Sequence, residues 1–559
     1  MLIPVITFSQ VSFDVKDTAC IDEMITITNN SRNADSYYWN FCSGNLYYTP
    51  EGDNLPHQGT LDGPAFIDFA EDNGNYYAFI TNHTSGTLTK FSYGNNFLST
   101  PASINLGSFG GIIPQHVQGV QVEKDNGNWY VFVVGGQRNE SRLVRLDFGN
   151  SLANTPSAIN LGNFSGNLDY PIDFYLLKEN SNWYGFTVNY NTSSLTRIDF
   201  GNSLSNLAPA DLTLSDGMGL DGPTGLLPIK ESDTWYLFVT NNRSHEIIRL
   251  ELGASLTGIP SPVSIGDPGY LAFPFDLTIL RDCEGLIGFV LNRFNDIVRL
   301  EFNQGIDHTP DFVSLGDRGI LFNPHGISDV FRVGDTLYAF VANIDNSSIT
   351  RLYFPGCDNA SVSSSTERDP PEISYNQPGI YNIQLILDEG TPQQENFCRN
   401  VVVLESPEVN LGNDTLLPPG ATMILDAGDY AAWEWSTGET SRSIEINGPG
   451  TYTVIVTNEY GCTAQDEIIV TMDIGIPNFF TPNNDGVNDT WEIPYLSANP
   501  EARIFIYNRF GHLITSYRYG EGGWDGTRNG EPVRADTYWY VIDLNGDSKP
   551  LKGSVTVKK

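Results

Sequence analysis

Nowhere in these 559 residues do 18 apolar residues run together, so no segment has the makings of a membrane-spanning helix. If the chain sits at a membrane surface, something else holds it there. Basic side chains are scarce, with 30 Lys and Arg against 67 Asp and Glu and a formal charge of −37. A surface of that sign repels phosphate, which argues against nucleic acid as a partner and against docking on anionic headgroups. It is compatible with calcium, with cationic partners or with simple solubility. Catalytic signatures are missing. The seven His show no His-x-x-x-His or His-Glu-x-x-His spacing, and there is no Gly-x-Ser-x-Gly elbow and no phosphate loop. The reading therefore leans away from an enzyme. No Cys-x-x-Cys occurs, so a structural zinc site has no support. What is present is 40% hydrophobic and 12% aromatic residues, enough for real cores. With 27 Tyr, 54 Gly and 32 Pro, the balance suits an extracellular β-rich protein.

The first ten residues, Met1 to Gln10, are mostly apolar and carry a small residue, Ser9, near their end. They read as the remnant of a secretory signal. The middle of the chain repeats. Tyr76-Tyr-Ala-Phe-Ile-Thr-Asn82 returns as Trp129-Tyr-Val-Phe-Val-Val-Gly135, Trp183-Tyr-Gly-Phe-Thr-Val-Asn189 and Trp235-Tyr-Leu-Phe-Val-Thr-Asn241. It returns twice more as Leu286-Ile-Gly-Phe-Val-Leu-Asn292 and Leu337-Tyr-Ala-Phe-Val-Ala-Asn343, always at intervals of 51 to 54 residues. These alternating, β-branched and aromatic runs are strands. A second run follows each and holds a basic residue: Lys90, Arg145, Arg197, Arg249, Arg299 or Arg351. A short third run such as Ile159-Asn-Leu-Gly162 comes next, and a Pro (Pro64, Pro171, Pro223, Pro274, Pro324) opens the next unit.

Four short strands in about 50 residues is the size of one β-propeller blade. Six copies predict six blades. The last copy stops at Cys357 without its fourth strand, and the matching piece, Gly44 to Leu55, precedes the first copy. The ring should therefore close by pairing an N-terminal strand with the final blade, which removes open sheet edges.

The segments flanking the repeats complement each other. One contains Trp39-Asn-Phe-Cys-Ser-Gly44, the other Pro378-Gly-Ile-Tyr381 and Asn400-Val-Val-Val-Leu404. Together they resemble a PKD domain, a small immunoglobulin-like sandwich, with a degenerate form of its Trp-Asp-Phe-Gly-Asp-Gly turn. The expected layout is all-β: a PKD-like sandwich over 11–43 and 358–405, interrupted by a six-bladed propeller over 44–357. Insertion at a loop tip is tolerated when the inserted ends lie close together. Cys42 and Cys357 stand at the junctions and are expected to form a disulfide across the neck. Cys20 and Cys398 lie on the two halves and are expected to bridge the sandwich, leaving Cys283 and Cys462 as thiols.

Residues 406–473 carry Trp433-Glu-Trp435 and Gly450-Thr-Tyr452, and resemble the Ig-like modules of secreted Bacteroidetes proteins. The last segment reads Ile476-Pro-Asn-Phe-Phe-Thr-Pro-Asn-Asn-Asp-Gly-Val-Asn-Asp-Thr-Trp491, then Tyr507-Asn-Arg-Phe-Gly511, Trp524-Asp-Gly526 and Asp536-Thr-Tyr-Trp-Tyr540. Over 474–559 it resembles the gliding motility-associated C-terminal (type B sorting) domain, expected to fold as a β-sandwich. The resemblance implies export by the type IX secretion machinery to the cell surface or medium, with a PorP/SprF-like outer-membrane protein as partner.

Candidate sites are sparse. Asn483, Asp485, Asn488 and Asp489 offer oxygens at short spacing around Gly486. They read as an Asx-rich turn, with calcium as the alternative; no other cofactor is implied. The six basic residues, with acids two positions on at Asp147, Asp199, Glu251 and Glu301, read as structural pairs. The recurring Asn82, Asn189, Asn241, Asn292 and Asn343 read as turn caps, with sugar-facing amides as the alternative. Where inner strands begin, Asp173, Asp276 and His325 are the candidate ligand-binding residues. The leading expectation is an exported binding or adhesion protein presenting a glycan- or protein-binding face. The alternatives are a propeller enzyme (a polysaccharide lyase or hydrolase) and a purely structural surface component.

Overall fold

The computed structural model describes residues 11–559 apart from 32–33, 44, 57–58, 216, 232, 267–268, 284, 318, 355, 357, 390–393, 419–420, 473–474, 495, 497–499 and 545–548. The proposed signal remnant at Met1–Gln10 and Cys357 lie outside the described residues. The chain forms two compact units, Met1–Val403 and Leu404–Lys559, and no described helix is long and apolar enough to cross a membrane.

In the first unit the repeats become six sheets. Five are four-stranded and antiparallel in chain order, and their first strands are Pro64–Asp72, Val117–Asp125, Pro171–Glu179, Pro223–Glu231 and Pro274–Asp282. Tight turns join the first two strands of each. In sheets one and two these are Asn73-Gly74 and Asn126-Gly127, all four at positive φ, the turn that matches strand twist. The sixth sheet opens with Pro324–Ile327 and takes its outer strand from Glu51–Leu55, which pairs with Ser348–Phe354 in the register Ile349↔Leu55 to Tyr353↔Glu51. The first strand of each sheet packs on that of the next, and the sixth returns to the first. The ring is closed and propeller-like, as the offset of the repeat predicts.

Polar staples join neighbouring sheets. Lys90 Nζ donates to the Leu152 carbonyl (3.0 Å) and Arg145 Nη1 to that of Leu204 (2.7 Å), while Arg249 reaches Ile306. Arg145, Arg197 and Arg299 also pair with the acids two positions on. Lys90, Arg145 and Arg249 thus hold the outer turn of the next sheet, while Arg197 pairs along its own strand and Arg351 with Asp53 of its own sheet. A ring of acids that the sequence reading missed does the same job. Asp72, at the end of the first inner strand, accepts from Trp129 Nε1, Ser151 Oγ and the Leu152 N–H. Asp125 repeats this with Trp183, Ser203 and Leu204, and Glu179 with Trp235, Ser255 and Leu256. Burial opposes ionisation of Asp72 and Asp125, but these donors hold both below the usual carboxylate range.

Before and after the ring, Tyr37–Ser43 and Gly379–Leu387 pair in one five-stranded sheet with Thr18–Cys20, Glu395–Leu404 and Ser364–Ser365. Its core holds Phe13, Trp39, Phe41, Ile383 and Leu385. Tyr381 stacks on Tyr375 at 3.9 Å and donates to the Gln377 carbonyl four residues back (2.9 Å). The second unit repeats that corner twice, with Tyr452 to Gly448 (2.9 Å) and Tyr538 to Arg534 (3.0 Å).

Cysteine pairing departs from expectation. Cys398 bonds to Cys283, in the turn between the first two strands of sheet five, and so ties the ring to the flanking five-stranded sheet. The expected Cys20–Cys398 bridge is therefore corrected. So is the expectation of free thiols at Cys283 and Cys462, because Cys20, Cys42 and Cys462 are all disulfide-bonded too. Spacing cannot show which residues a folded ring brings within the 5.5 Å Cα separation seen here. Non-reducing peptide mapping should recover a Cys283–Cys398 peptide; a Cys20–Cys398 peptide would contradict this pairing.

Candidate active site

Inner strands meet closely around the channel because glycines alternate with larger residues. A Cβ on Gly225 would lie 2.7 Å from Asp276 Cα, one on Gly326 2.7 Å from the Ala65 carbonyl, and one on Gly119 2.8 Å from that of Ile172. In the gaps so made, three carboxylates clasp the neighbouring strand. Asp173 accepts from its own neighbour Phe174 N–H (2.8 Å) and from Leu226 N–H of the next sheet (2.9 Å). Asp276 accepts from Leu277 and Ile327 (both 2.8 Å). Asp68 accepts from Phe69 (2.8 Å), Val122 (2.7 Å) and Gln121 Nε2 (3.1 Å).

A fourth carboxylate enters through a defect. Sheets one to five have continuous nine-residue inner strands, but in the sixth the strand breaks after Ile327 and resumes at Phe331–Val333. Ser328 caps the break, its Oγ accepting from the Phe340 N–H at 2.9 Å. Asp329, freed from the ladder, is exposed to the channel lumen although protein surrounds it. Irregular strand positions of this kind recur beside active sites. Tyr175 Oη reaches Asp329 at 3.5 Å.

These groups share one electrostatic environment. Burial pushes Asp68 up to about 8, the Val122 N–H opposes, and the Asp329 charge adds to the rise. Burial likewise raises Asp173 to about 7, and burial together with the Asp173 charge raises Asp276 well above the usual carboxylate range. Asp329 itself is raised by burial, with Tyr175 pulling the other way. Asp68 and Asp329 both line a cavity of about 460 Å³ walled by Phe69, Tyr76, Phe331 and Arg332. Near-neutral carboxyls in a cleft mark a site able to hold and release protons.

The sign of the linkage is definite. Each folded carboxyl keeps its proton at pH values where the unfolded one, near 3.8, has lost it. Their contribution to stability is therefore present below about pH 4 and drains away as pH rises through 7 to 8. Thermal unfolding of the first unit should shift to lower temperature across that window, and Asp68→Asn should flatten the dependence. An unchanged slope in the variant would contradict the assignment.

The sequence candidates divide. Asp173 and Asp276 are buried and electrostatically coupled. His325 does not join them. It lies one residue into the sixth inner strand, stacked on Phe275 (3.9 Å), the neighbour of Asp276, and near His83 (6.5 Å), and its ring bonds neither carboxylate. There His83 bonds His116 (3.0 Å) and Gln118 (2.9 Å), and Gln118 bonds Tyr170 Oη (3.0 Å). The repeated Asn82, Asn189, Asn241, Asn292 and Asn343 are fully buried and bond the turn entering their own sheet, such as Asp62 N–H to Asn82 Oδ1 at 3.0 Å. They are caps, and no sugar reaches them.

In the loop of the second unit, Asp489 accepts the N–H groups of Asn483 (3.0 Å), Asn484 (2.6 Å) and Gly486 (2.7 Å), which hold its carboxyl below the usual range. Asp485 accepts from Val487 N–H (2.8 Å) and from Asn483 Nδ2 (2.9 Å). These oxygens are committed to the turn, and no group of three His, Cys, Asp or Glu fit for a metal occurs among the described residues. Asn488 contributes a backbone carbonyl to Thr481 N–H (2.8 Å). Chelation of calcium is expected to leave the melting of this unit unchanged; a fall of several degrees would show a bound ion.

Residues 474–557 match the CHU_C type IX secretion signal domain. Its motif residues Phe480, Trp491, Trp524, Tyr538 and Tyr540 form the domain's own core. The chain is accordingly a secreted or cell-surface protein that engages the type IX machinery through this domain. No curated protein matches the chain. Among solved structures, similarity is found to a family-43 glycoside hydrolase from Xanthomonas citri with xylose (11% identity, 49% of this chain and 97% of that one, TM-score 0.33). A family-62 α-L-arabinofuranosidase domain from Coprinopsis cinerea matches at 15% identity over 42% and 90%, with a TM-score of 0.30. One from Podospora anserina in complex with cellotriose matches at 10% over 55% and 97%, with a TM-score of 0.31. These matches correct the expectation that leaned away from an enzyme. At such identity and TM-score no reaction is carried over from them, and the chemistry below is argued from the carboxyl group alone.

Proposed function

We propose that the chain is an exported enzyme that hydrolyses glycosidic bonds of an extracellular polysaccharide at the carboxyl-lined end of its channel. The carrying observation is the meeting of Asp68 and Asp329 in one aromatic-walled cavity, where burial keeps the proton affinity of both high and the Asp329 charge adds to that of Asp68. Glycoside hydrolysis needs one carboxyl to protonate the leaving oxygen and another, ionised, on the opposite side of the anomeric carbon. Asp329 is the better candidate to meet substrate, since no backbone donor occupies its oxygens in the way Asp68, Asp173 and Asp276 are occupied. Phe69, Tyr76 and Phe331 offer faces for sugar C–H groups. A purely adhesive face has no use for such a group, so the binding reading gives way to its enzymatic alternative.

The frame around the site is part of the proposal. A six-bladed propeller over 44–357 is inserted in a PKD-like sandwich of 11–43 and 358–405, with Cys42 and Cys357 bonded at the neck. An Ig-like sandwich over 406–473 follows, and the sorting domain docks a PorP/SprF-like outer-membrane protein. The hydrolytic rate, read as new reducing ends, should fall as pH rises through about 7 to 8, where the carboxyls shed their protons. A rate still climbing above pH 9 would contradict acid catalysis by this group.

A further inference from the structure

The entry ends of the inner strands, away from the Asp68–Asp329 cavity, carry a second group of polar and aromatic residues. The residue just before each inner strand adopts left-handed backbone in all six sheets: Gly63 (φ 61°), His116 (58°), Tyr170 (56°), Gly222 (56°), Phe273 (52°) and Asn323 (51°). Glycine adopts this conformation without strain, and Gly63 and Gly222 show that it fits here. Tyr and Phe do so only at a cost, and such strain concentrates where the side chain is put to use. Phe273 is exposed and meets Phe294, also exposed, edge to face at 5.5 Å. Tyr170 meets Tyr190 at 6.0 Å.

Below this rim lie buried polar atoms without partners. His325 is 5% exposed, and neither ring nitrogen has a hydrogen bond. Gln118 is 1% exposed; one end of its amide serves His83 and Tyr170, and the other end serves nothing. Whichever way that amide is set, one of its ends stays unpaired. Burial and the nearby Arg293 charge keep His325 neutral, so its ring offers one donor and one acceptor. Unpaired groups this deep are costly. A hydroxyl, which both gives and takes, matches them.

We infer that this mouth, through His325, Gln118, Tyr170, Phe273 and Phe294, binds a sugar unit. Its hydroxyls would enter the His325–Gln118 throat and its C–H faces would lie on the aromatic rim. The site is separate from the carboxyl cavity and does not rest on the hydrolase reading. It would hold a polysaccharide independently of the end at which bonds are cut.

Titration calorimetry of the full chain tests this, with Asp329→Asn present throughout so that no probe is consumed. The probes are hexasaccharides of xylan, cellulose, chitin and galacturonan. At least one should bind. His325→Phe keeps the stack on Phe275 and removes the unpaired nitrogens, while Phe273→Gly removes both the ring and the strain. Each should weaken binding about tenfold or more and yet raise the melting temperature of the first unit by about a degree or more. Residues with a merely structural role would lose stability instead. The inference fails if no probe binds, or if the variants that lose binding also melt earlier. It also fails if binding survives both changes, which would place the sugar at the carboxyl cavity and leave the hydrolase reading intact.

Discussion

Asp329→Asn should cut turnover by about 10² to 10⁴-fold while the protein melts where it did before. The amide is isosteric, the side chain stands outside the strand ladder, and its one recorded partner is Tyr175 Oη at 3.5 Å. Little holding the ring together therefore passes through it. KM should change far less than kcat, because an amide still fills the cavity but neither gives nor takes the proton. Removing that negative charge should also relax the raised proton affinity of Asp68, Asp173 and Asp276, since Asp329 is one of the charges that raises it. The alkaline limb of any residual rate should therefore move to lower pH. Asp173→Asn makes the contrast. It replaces an oxygen accepting from Leu226 N–H with a group that cannot accept, so it should destabilise the ring by about 1–3 kcal/mol, from one unpaired buried donor. Equal loss of kcat and of stability in both variants would mean that Asp329 is only another clasp.

Deletion of residues 474–559 should have an effect as large and of a different kind. The segment matches a type IX secretion signal, and it folds around its own core of Phe480, Trp491, Trp524 and Tyr540. Its loss should leave the first unit folded and active in a periplasmic extract, with no protein reaching the surface or the medium. Trp491→Ala should do nearly the same, since that ring is fully buried and such truncations cost about 3–5 kcal/mol. Undiminished export of either variant would show that the address lies elsewhere in the chain.

Much of this architecture was legible because repetition amplifies weak signals. A single run such as Trp183-Tyr-Gly-Phe-Thr-Val-Asn189 is one alternating strand; six of them at nearly constant spacing predict a ring, and the missing outer strand of the last copy predicts how it closes. The basic position, filled in all six copies, and the Asn position, filled in five, were legible as structure for the same reason, since a side chain repeated around the ring belongs to the frame. The site hid because it lies where copies differ. Asp68 stands four residues after Pro64, whereas Asp173 and Asp276 stand two after theirs, so alignment by the blade-opening position does not bring them together. Asp329 follows a break in the sixth inner strand, and the only trace of it is Ser328-Asp329 where other copies carry apolar alternation. Disulfide partners were illegible because the turn at Cys283 meets the flanking sheet only through the folded ring.

The most direct measurement is release of reducing ends by the purified full chain from a panel of plant, algal and bacterial polysaccharides between pH 4 and 9. The account predicts cleavage of at least one glycan, with a rate that falls above about pH 7 to 8 and is lost in Asp329→Asn. No release from any member of the panel, or release that Asp329→Asn leaves untouched, would contradict it.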